Sequence, residues 1–388
     1  ESIKQLEITG LYFKEEDSRY YPDRTVGGNL LGFVNKTGDG VAGIEATYNE
    51  LLQGQDGLMK GETDGHGNYI ADTVKVVKES EPGKSIILTI DQKAQYIAQR
   101  EIEKIRTELE PRSAVIMVME TKTGAIVASA NTNTYDPNNY KDLNSTLFTT
   151  LEYQSVFEPG STMKTIMAAA ALNEGVVDEN STFYDNGYRK IGTETVKCWI
   201  YPRSHGTETM TEGFANSCNP VFVDIALLLK EKNKDAWFKY LDAFGFGKKS
   251  AISFGGESNG IMPGGTGDIY HATSAIGQGI AVTPIQILSA VSAVANDGQK
   301  MKPYLIKEVL DNKGNTLETY EPTIEGQLVS KEAAEKVQEM MKAVVDTGTG
   351  QSFQLSNNIE SMGKTGTAQL VDSTGLYSKA KYVISYIG

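Results

Sequence analysis

Positive charge is scarce in this chain: 37 Lys and Arg stand against 50 Asp and Glu, a net charge of −13. That excludes nucleic acid and anionic membrane surfaces as partners, since both are bound through basic patches. Long apolar runs are missing too. None approaches the ~18 residues that a membrane-crossing helix needs, and the opening Glu1-Ser2-Ile3-Lys4 is no signal peptide. Internal repeats and low-complexity segments are absent. Histidine occurs three times (His66, His205, His271) and cysteine twice (Cys198, Cys218). His66 in a turn and His271 at a helix start read as structural residues, so a serine–histidine pair has little to draw on. What remains is ordinary for a folded protein: 388 residues, 39% of them apolar, are enough for two domains with real cores.

The most telling stretch is Gly160-Ser161-Thr162-Met163-Lys164-Thr165-Ile166-Met167, followed by Ala168–Ala171. Pro159-Gly160 breaks the preceding chain, and the alanines favour a helix. Ser161 and Lys164, three residues apart, share a helix face. The unpaired N–H groups at the helix start favour a developing oxyanion. This is the layout of a serine nucleophile activated by a lysine. Spacing alone proves little, because Ser361/Lys364 and Ser378/Lys381 repeat it. Neither of those serines opens a helix-forming run.

Serine acyl-transferases of this kind also need a Ser-x-Asn and a Lys-Thr-Gly, and the chain holds three copies of each. Ser129-Ala130-Asn131 looks like a strand end and Ser356-Asn357-Asn358 lies in a polar loop. Ser217-Cys218-Asn219 sits at a corner between two helical stretches, where side chains can converge. Lys36-Thr37-Gly38 and Lys122-Thr123-Gly124 read as hairpin turns. Lys364-Thr365-Gly366 continues into Thr367-Ala368-Gln369-Leu370, a strand with Thr365 and Thr367 on one face. Gly256-Glu257-Ser258-Asn259-Gly260 matches a nucleophile elbow but leads into Pro263-Gly264-Gly265 instead of a helix. Gly363-Lys364-Thr365 ends like a phosphate-binding loop, but Asn358 stands where its leading glycine belongs.

The selected order Ser161, Ser217, Lys364 resembles that of the class B penicillin-binding proteins of the division and sporulation type. Flanking matches extend the resemblance over nearly the whole chain. They include Arg19-Tyr20-Tyr21-Pro22, Gly43-Ile44-Glu45, Leu88-Thr89-Ile90-Asp91, Glu158-Pro159-Gly160, Ile276-Gly277-Gln278-Gly279 and Thr283-Pro284-Ile285-Gln286.

The resemblance implies an α/β fold: a transpeptidase domain over 86–388, with an antiparallel sheet flanked by helices and a helical lobe, behind a smaller β-rich pedestal domain over 1–85. The pattern predicts a strand at 86–90, a helix capped by Asp91 and a hairpin near 114–129. It also predicts helices near 220–230, 233–243, 282–296 and 331–345, and strands near 303–309, 364–370 and 381–387 closing one sheet. Family members continue past Gly388 with a further strand and helix, and carry an N-terminal membrane anchor. The chain is thus expected to be an extracytoplasmic fragment.

The implied activity is D,D-transpeptidation of peptidoglycan stem peptides. Ser161 would be the nucleophile, Lys164 the base and Ser217 the proton relay. Asn219 would hold the substrate amide. Lys364, Thr365 and Thr367 would bind the terminal carboxylate, with Gly366 allowing close backbone approach. The backbone N–H groups of Ser161 and Thr367 would form the oxyanion site. Neutralising Lys164 would take burial plus a nearby cation such as Lys364. β-Lactams would acylate Ser161, and a membrane glycosyltransferase would be the partner. A β-lactam sensor or a β-lactamase-like hydrolase shares the scaffold. Glu174 and Glu212 are expected to be solvated and so not deacylating bases. The chemistry requires no cofactor.

The cysteines leave three readings open. Cys198, His205 and Cys218 follow as Cys-x6-His-x12-Cys, with Asp185 just upstream and His271 a further possible ligand. They could hold a structural Zn2+, form a disulfide or remain free thiols.

Overall fold

The structure is a computed structural model, and it describes residues 18–65, 69–250, 252, 254–356, 359–371 and 377–388. His66 and most of the Ser356-Asn357-Asn358 motif lie outside the described residues.

A helical lobe surrounds one buried helix. Lys164–Asn173 is enclosed on all sides, with Ile166, Met167 and Ala168 to Ala171 wholly buried. Four small side chains let neighbouring helices close in without voids. Around it pack Asn219–Lys232, Ala236–Phe244, Pro284–Ala295 and Lys331–Asp346, contributing Phe222, Leu229, Trp237, Leu241, Val291, Val337 and Met340 to one core. The caps are readable locally. Asp91 accepts from the Ala94 amide to open Gln92–Leu109, and Thr283 forms a capping box with Gln286 ahead of Pro284.

Every strand ladder among the described residues is antiparallel. Val115–Met119 pairs with Ile126–Asn131 across the Lys122-Thr123-Gly124 turn, and Lys364–Val371 pairs with Tyr377–Ile387. One expectation is corrected. The strand near 303–309, found at Ile306–Leu310, does not join the 364–371 hairpin. It lies between Ser85–Leu88 and Thr316–Thr319, with Ile306 opposite Leu88. Ile306 and Val309 are buried in this sheet, and Leu305, just before it, shares a core with Ile285 of Pro284–Ala295.

The N-terminal segment is less strand-like than its composition suggests. Among its described residues are three short helices, Gly28–Leu31, Gly43–Thr47 and Asn49–Gln53, besides the pair Leu58–Lys60 and Lys75–Lys78. It is also not free-standing. Leu30 and Ile44 share a core with Ile126, Tyr153, Phe254, Ile285 and Leu305. The motifs Arg19-Tyr20-Tyr21-Pro22 and Gly43-Ile44-Glu45 prove to be one cluster. Arg19 forks onto Glu45 at 2.7 and 3.2 Å, and the Tyr21 hydroxyl donates to Glu45 at 3.2 Å. Buried Asn29 donates to Leu147 O at 2.7 Å and accepts from Asn131 at 2.9 Å; Asn131 and Ser129 in turn donate to the buried carboxylate of Glu152.

Replacing Asn29 by alanine leaves the Leu147 carbonyl without its partner and one of the two Asn131 amide protons unpaired, while the bond from Asn131 to Glu152 stays, a loss of about 2–3 kcal/mol. Thermal unfolding of Asn29→Ala should fall by several degrees and remain a single transition. An early transition confined to residues 18–53 would contradict the shared core.

Candidate active site

Ser161 lies in a 3-10 turn, Gly160–Met163, that runs directly into the Lys164–Asn173 helix. The expectation was a serine at the mouth of an α-helix. The tighter turn brings residues three apart into register along its axis, so Lys164 follows Ser161 on the same side. Ser161 stays half-buried while Lys164 has no exposed surface.

Lys164 is held by the corner between Met210–Ala215 and Asn219–Lys232. Its Nζ donates to Ser217 O at 2.7 Å and to Asn219 Oδ1 at 2.8 Å, with Ser217 Oγ at 3.4 Å. Ser217 occupies the left-handed region at φ 56°, unusual for a residue with a side chain. This turns its carbonyl and hydroxyl to one side. The same corner satisfies its own backbone: Ser217 N donates to Phe214 O, and Cys218 N to Gly213 O. Asn219 Nδ2 donates onward to Lys197 O at 2.9 Å.

Lys364 begins its strand in full burial, donating to Thr365 O at 3.0 Å. Both amines lie over aromatic rings, Lys164 5.4 Å from the Phe222 centroid and Lys364 5.7 Å from that of Phe214. Burial draws the Lys164 amine down to about 7, against the opposing pull of Cys218, Cys198 and Glu208. Burial is also the main cause of the Lys364 shift well below the ordinary lysine range, and Lys164 adds to it. Burial was one of the two expected causes and is the principal one; the other, Lys364, is not among the groups that act on Lys164.

The strand meets the serine turn backbone to backbone. A Cβ at Gly160 would lie 2.7 Å from Thr367 O, and one at Gly277 would lie 2.0 Å from Gly160 O. Gly160 N donates to Gly277 O at 3.0 Å. The bare side of Gly366 faces Pro159 O and Ser385 Oγ, so its small size lets the strand approach the Ser161 turn. Thr365 Oγ1 and Thr349 Oγ1 are 2.6 Å apart, and Thr367 is exposed. Ser161, Lys164, Ser217, Asn219, Lys364, Thr365, Gly366 and Thr367 thus meet at one place.

Two further contributors lie outside the three motifs. Glu158 accepts from Gly279 N at 2.9 Å and from the Tyr377 hydroxyl at 3.0 Å, tying the serine turn to two other segments. Thr349 sits in a glycine-flanked turn far from the motifs. The decoys have other roles. Ser129 and Asn131 serve Glu152, Ser361 Oγ donates to Phe353 O, and Ser378 Oγ accepts from Ala380 N and Lys381 N. Glu174 accepts from Tyr240, and Glu212 belongs to a capping box.

The Asp185, Cys198, His205 and Cys218 ligand atoms lie within 4.8 Å of one another. His271 is a correction: its Nδ1 is 3.2 Å from Gly267 O and its Nε2 3.1 Å from Lys234 O, so both ring nitrogens are engaged elsewhere. The Cys198 thiol is drawn down to about 6, chiefly by a hydrogen bond from Cys218, whose own thiol is pushed up by the same contact. Burial opposes ionisation of Asp185, yet the His205 and Gly187 amides hold it below the usual carboxylate range.

Comparison with known proteins agrees with this geometry. Residues 114–388 match the penicillin binding protein transpeptidase domain, and residues 2–88 the penicillin-binding protein dimerisation domain. The chain belongs to the penicillin-binding protein transpeptidase family. It is 34% identical to stage V sporulation protein D of Bacillus subtilis over 100% of its length and 60% of that protein. It is 29% identical to the peptidoglycan D,D-transpeptidase FtsI of Escherichia coli K12 over 98% of its length and 62% of that protein. The crystal structure of penicillin binding protein 2X from Streptococcus thermophilus superposes with a TM-score of 0.85 at 29% identity, covering 99% of this chain and 59% of that one. Penicillin binding protein 3 of Mycobacterium tuberculosis, complexed with aztreonam, gives 0.83 at 26% identity, covering 96% and 80%. The chain therefore spans about three-fifths of the length of these curated relatives.

In this penicillin-binding protein, alanine at position 277 should push the Gly160 carbonyl aside. We expect Gly277→Ala to slow penicillin labelling about 100-fold, the scale of a 1 Å misplacement. Gly65→Ala, whose Cβ faces open space, should not. Stopped-flow labelling of both variants checks this.

Proposed function

We propose that this chain carries the transpeptidase site of a peptidoglycan D,D-transpeptidase. The observation that supports this most is the bonding of Lys164. An ammonium has three protons to give, a neutral amine two. The bonds to Ser217 O and Asn219 Oδ1 use two, at 2.7 and 2.8 Å. A neutral Lys164 held this way keeps its lone pair for another proton, and the preceding turn carries Ser161.

In this reading the Ser161 oxygen attacks the carbonyl carbon of the penultimate D-alanine of a stem peptide, and its proton passes to Lys164 Nζ. The oxyanion is held by the backbone N–H groups of Ser161 and Thr367. Collapse breaks the C–N bond, and the departing D-alanine amine receives its proton through Ser217. Asn219 holds the substrate amide; Lys364, Thr365 and Thr367 take its carboxylate. The amine of a neighbouring stem peptide then attacks the Ser161 ester, forming the cross-link and freeing the hydroxyl. A β-lactam enters by the same attack, but its ring-opened amine stays tethered and the ester persists.

Stem peptides lie outside the cytoplasmic membrane, so the site works on its outer face. A membrane glycosyltransferase supplying the strands is the partner. No described helix is long and apolar enough to cross a membrane. The division of the chain near residue 85 is part of the reading, supported by Ser85–Leu88 pairing with Ile306–Leu310. Acyl transfer by these residues draws on no cofactor, and a zinc ion at the Asp185 cluster would be structural.

Peptide mapping after penicillin treatment should place the adduct on Ser161, and Ser161→Ala should abolish it. An adduct elsewhere refutes the proposal. Cross-linking of a peptidoglycan polymer separates the transferase from a sensor, which would be acylated only. The pH dependence follows from the base acting when neutral. Because Lys164 sits at about 7, labelling should rise with pH through that value and level off above it. Lys164→Met should lose at least about 100-fold, the lower end of the range for a general base.

A further inference from the structure

The four ligand atoms at Asp185, Cys198, His205 and Cys218 come from separate pieces of chain that converge beside Lys164. Asp185 ends the strand Thr182–Asp185, and Cys198 follows the hairpin Tyr188–Ile191/Glu194–Lys197. His205 precedes the strand Gly206–Thr209, and Cys218 is the N-cap of Asn219–Lys232. The spacings suit a small cation. His205 Nδ1 lies 3.1 Å from Asp185 Oδ2 and 3.4 Å from Cys198 Sγ. A tetrahedral zinc bound at its usual N, O and S distances has ligand-to-ligand edges of about 3.3–3.8 Å. Asp185, Cys198 and Cys218 are buried, and soft thiolates beside an imidazole select zinc over magnesium or calcium.

A second observation points the same way. Glu208 is buried, with one oxygen taken by Asn216 Nδ2 at 2.7 Å. Its other oxygen has no hydrogen-bond partner and lies 3.8 Å from His205 Nδ1. A buried carboxylate oxygen left unpaired beside two thiols and a second carboxylate is costly unless positive charge arrives among them.

We propose that these four residues bind one structural zinc ion, and that the ion clamps the small strands onto the Ser217–Asn219 corner. Cys218 is both a ligand and the residue between the two side chains that face Lys164. The ion therefore joins the corner to Asp185 and His205 through a single side chain. Asn219 Nδ2 bonded to Lys197 O and Trp199 Nε1 bonded to Asn216 O, both at 2.9 Å, Asn216 Nδ2 bonded to Glu208, and the Arg189–Asp224 pair also tie this seam. With the ion in place the left-handed Ser217 is fixed from both sides. Without it, the orientation of Ser217 and Asn219 toward Lys164 rests on hydrogen bonds and the Arg189–Asp224 pair alone. Cys198 and His205 are thus positioning residues, and the inference about acylation rests on the acyl-transfer reading above.

The test uses the whole chain purified without chelator. Zinc is measured by elemental mass spectrometry, and penicillin acylation of Ser161 is timed before and after stripping the metal, then again after zinc is restored. Expected are one zinc per chain, its loss in Cys198→Ser and in His205→Ala, and a tetrahedral thiolate spectrum on cobalt substitution. Stripping should lower the melting temperature by several degrees and slow acylation about 10-fold or more, the scale on which supporting metal-site groups act, with recovery on adding zinc. Absence of zinc together with a Cys198–Cys218 disulfide in the unreduced peptide map overturns the site. One zinc whose removal leaves acylation unchanged overturns the clamp. If zinc-loaded protein is not labelled at Ser161, the acyl-transfer reading fails while the metal count stands on its own.

Discussion

An amine shut away from water must find acceptors or give up its proton, and at Lys164 the protein arranges both. Desolvation favours the neutral form, while Ser217 O and Asn219 Oδ1 fix where its protons point. Much of the surrounding fold serves this one group. The alanine face of Lys164–Asn173 lets helices close around it, Phe222 covers it, and the Ser217 corner adopts a left-handed backbone that presents a carbonyl inward. Strain of that kind survives where neighbours over-determine it, and here the Phe214, Gly213 and Lys197 contacts do so.

The second constraint is steric. The serine turn, the loop at Gly277 and the strand beginning at Lys364 cross at backbone distance, which is possible only where side chains are missing. Gly160, Gly277 and Gly366 supply those gaps at one crossing. The strand brings its own amine with it, so that Lys364 reaches the neighbourhood of Lys164 because Gly366 lets the strand come close. The Glu158 carboxylate, bonded to Gly279 and Tyr377, ties the serine turn to the Gly277 loop and to Tyr377–Ile387, the strand paired with Lys364–Val371.

The sequence made the chemistry more legible than the architecture. Ser161 and Lys164 could be placed because a helix period fixes which residues share a face, and the decoy motifs could be dismissed because hairpin turns announce themselves. Hairpins and capped helices were readable for the same local reason. What could not be read was long-range pairing. Nothing in Ile306–Leu310 says that its partner is Ser85–Leu88, since strand ladders are chosen by burial across the whole fold. The short strands between residues 182 and 209 escaped notice because each is four residues long, too short for an alternation of apolar and polar residues to stand out. Thr349 was invisible because a single threonine carries no period, and Glu158, although part of the matched Glu158-Pro159-Gly160, gave no sign of its partners Gly279 and Tyr377. His271 was available as a ligand by sequence and is excluded only by the two carbonyls that its ring nitrogens meet.

The two buried lysines also explain each other. In the site as it stands, burial disfavours charge on both, and Lys164 adds to the effect on Lys364. A substrate that brings a carboxylate to Lys364 changes the balance on one side only, because an opposite charge within a few ångströms restores the ammonium form. Lys164, bonded to a carbonyl and an amide oxygen rather than to a carboxylate, receives no such compensation. A newly charged Lys364 then adds its repulsion to the desolvation already acting on Lys164. In the proposed reaction, binding of the terminal carboxylate would thereby hold Lys164 neutral when Ser161 is to be deprotonated. A peptide lacking that carboxylate would leave both amines to compete for the same proton.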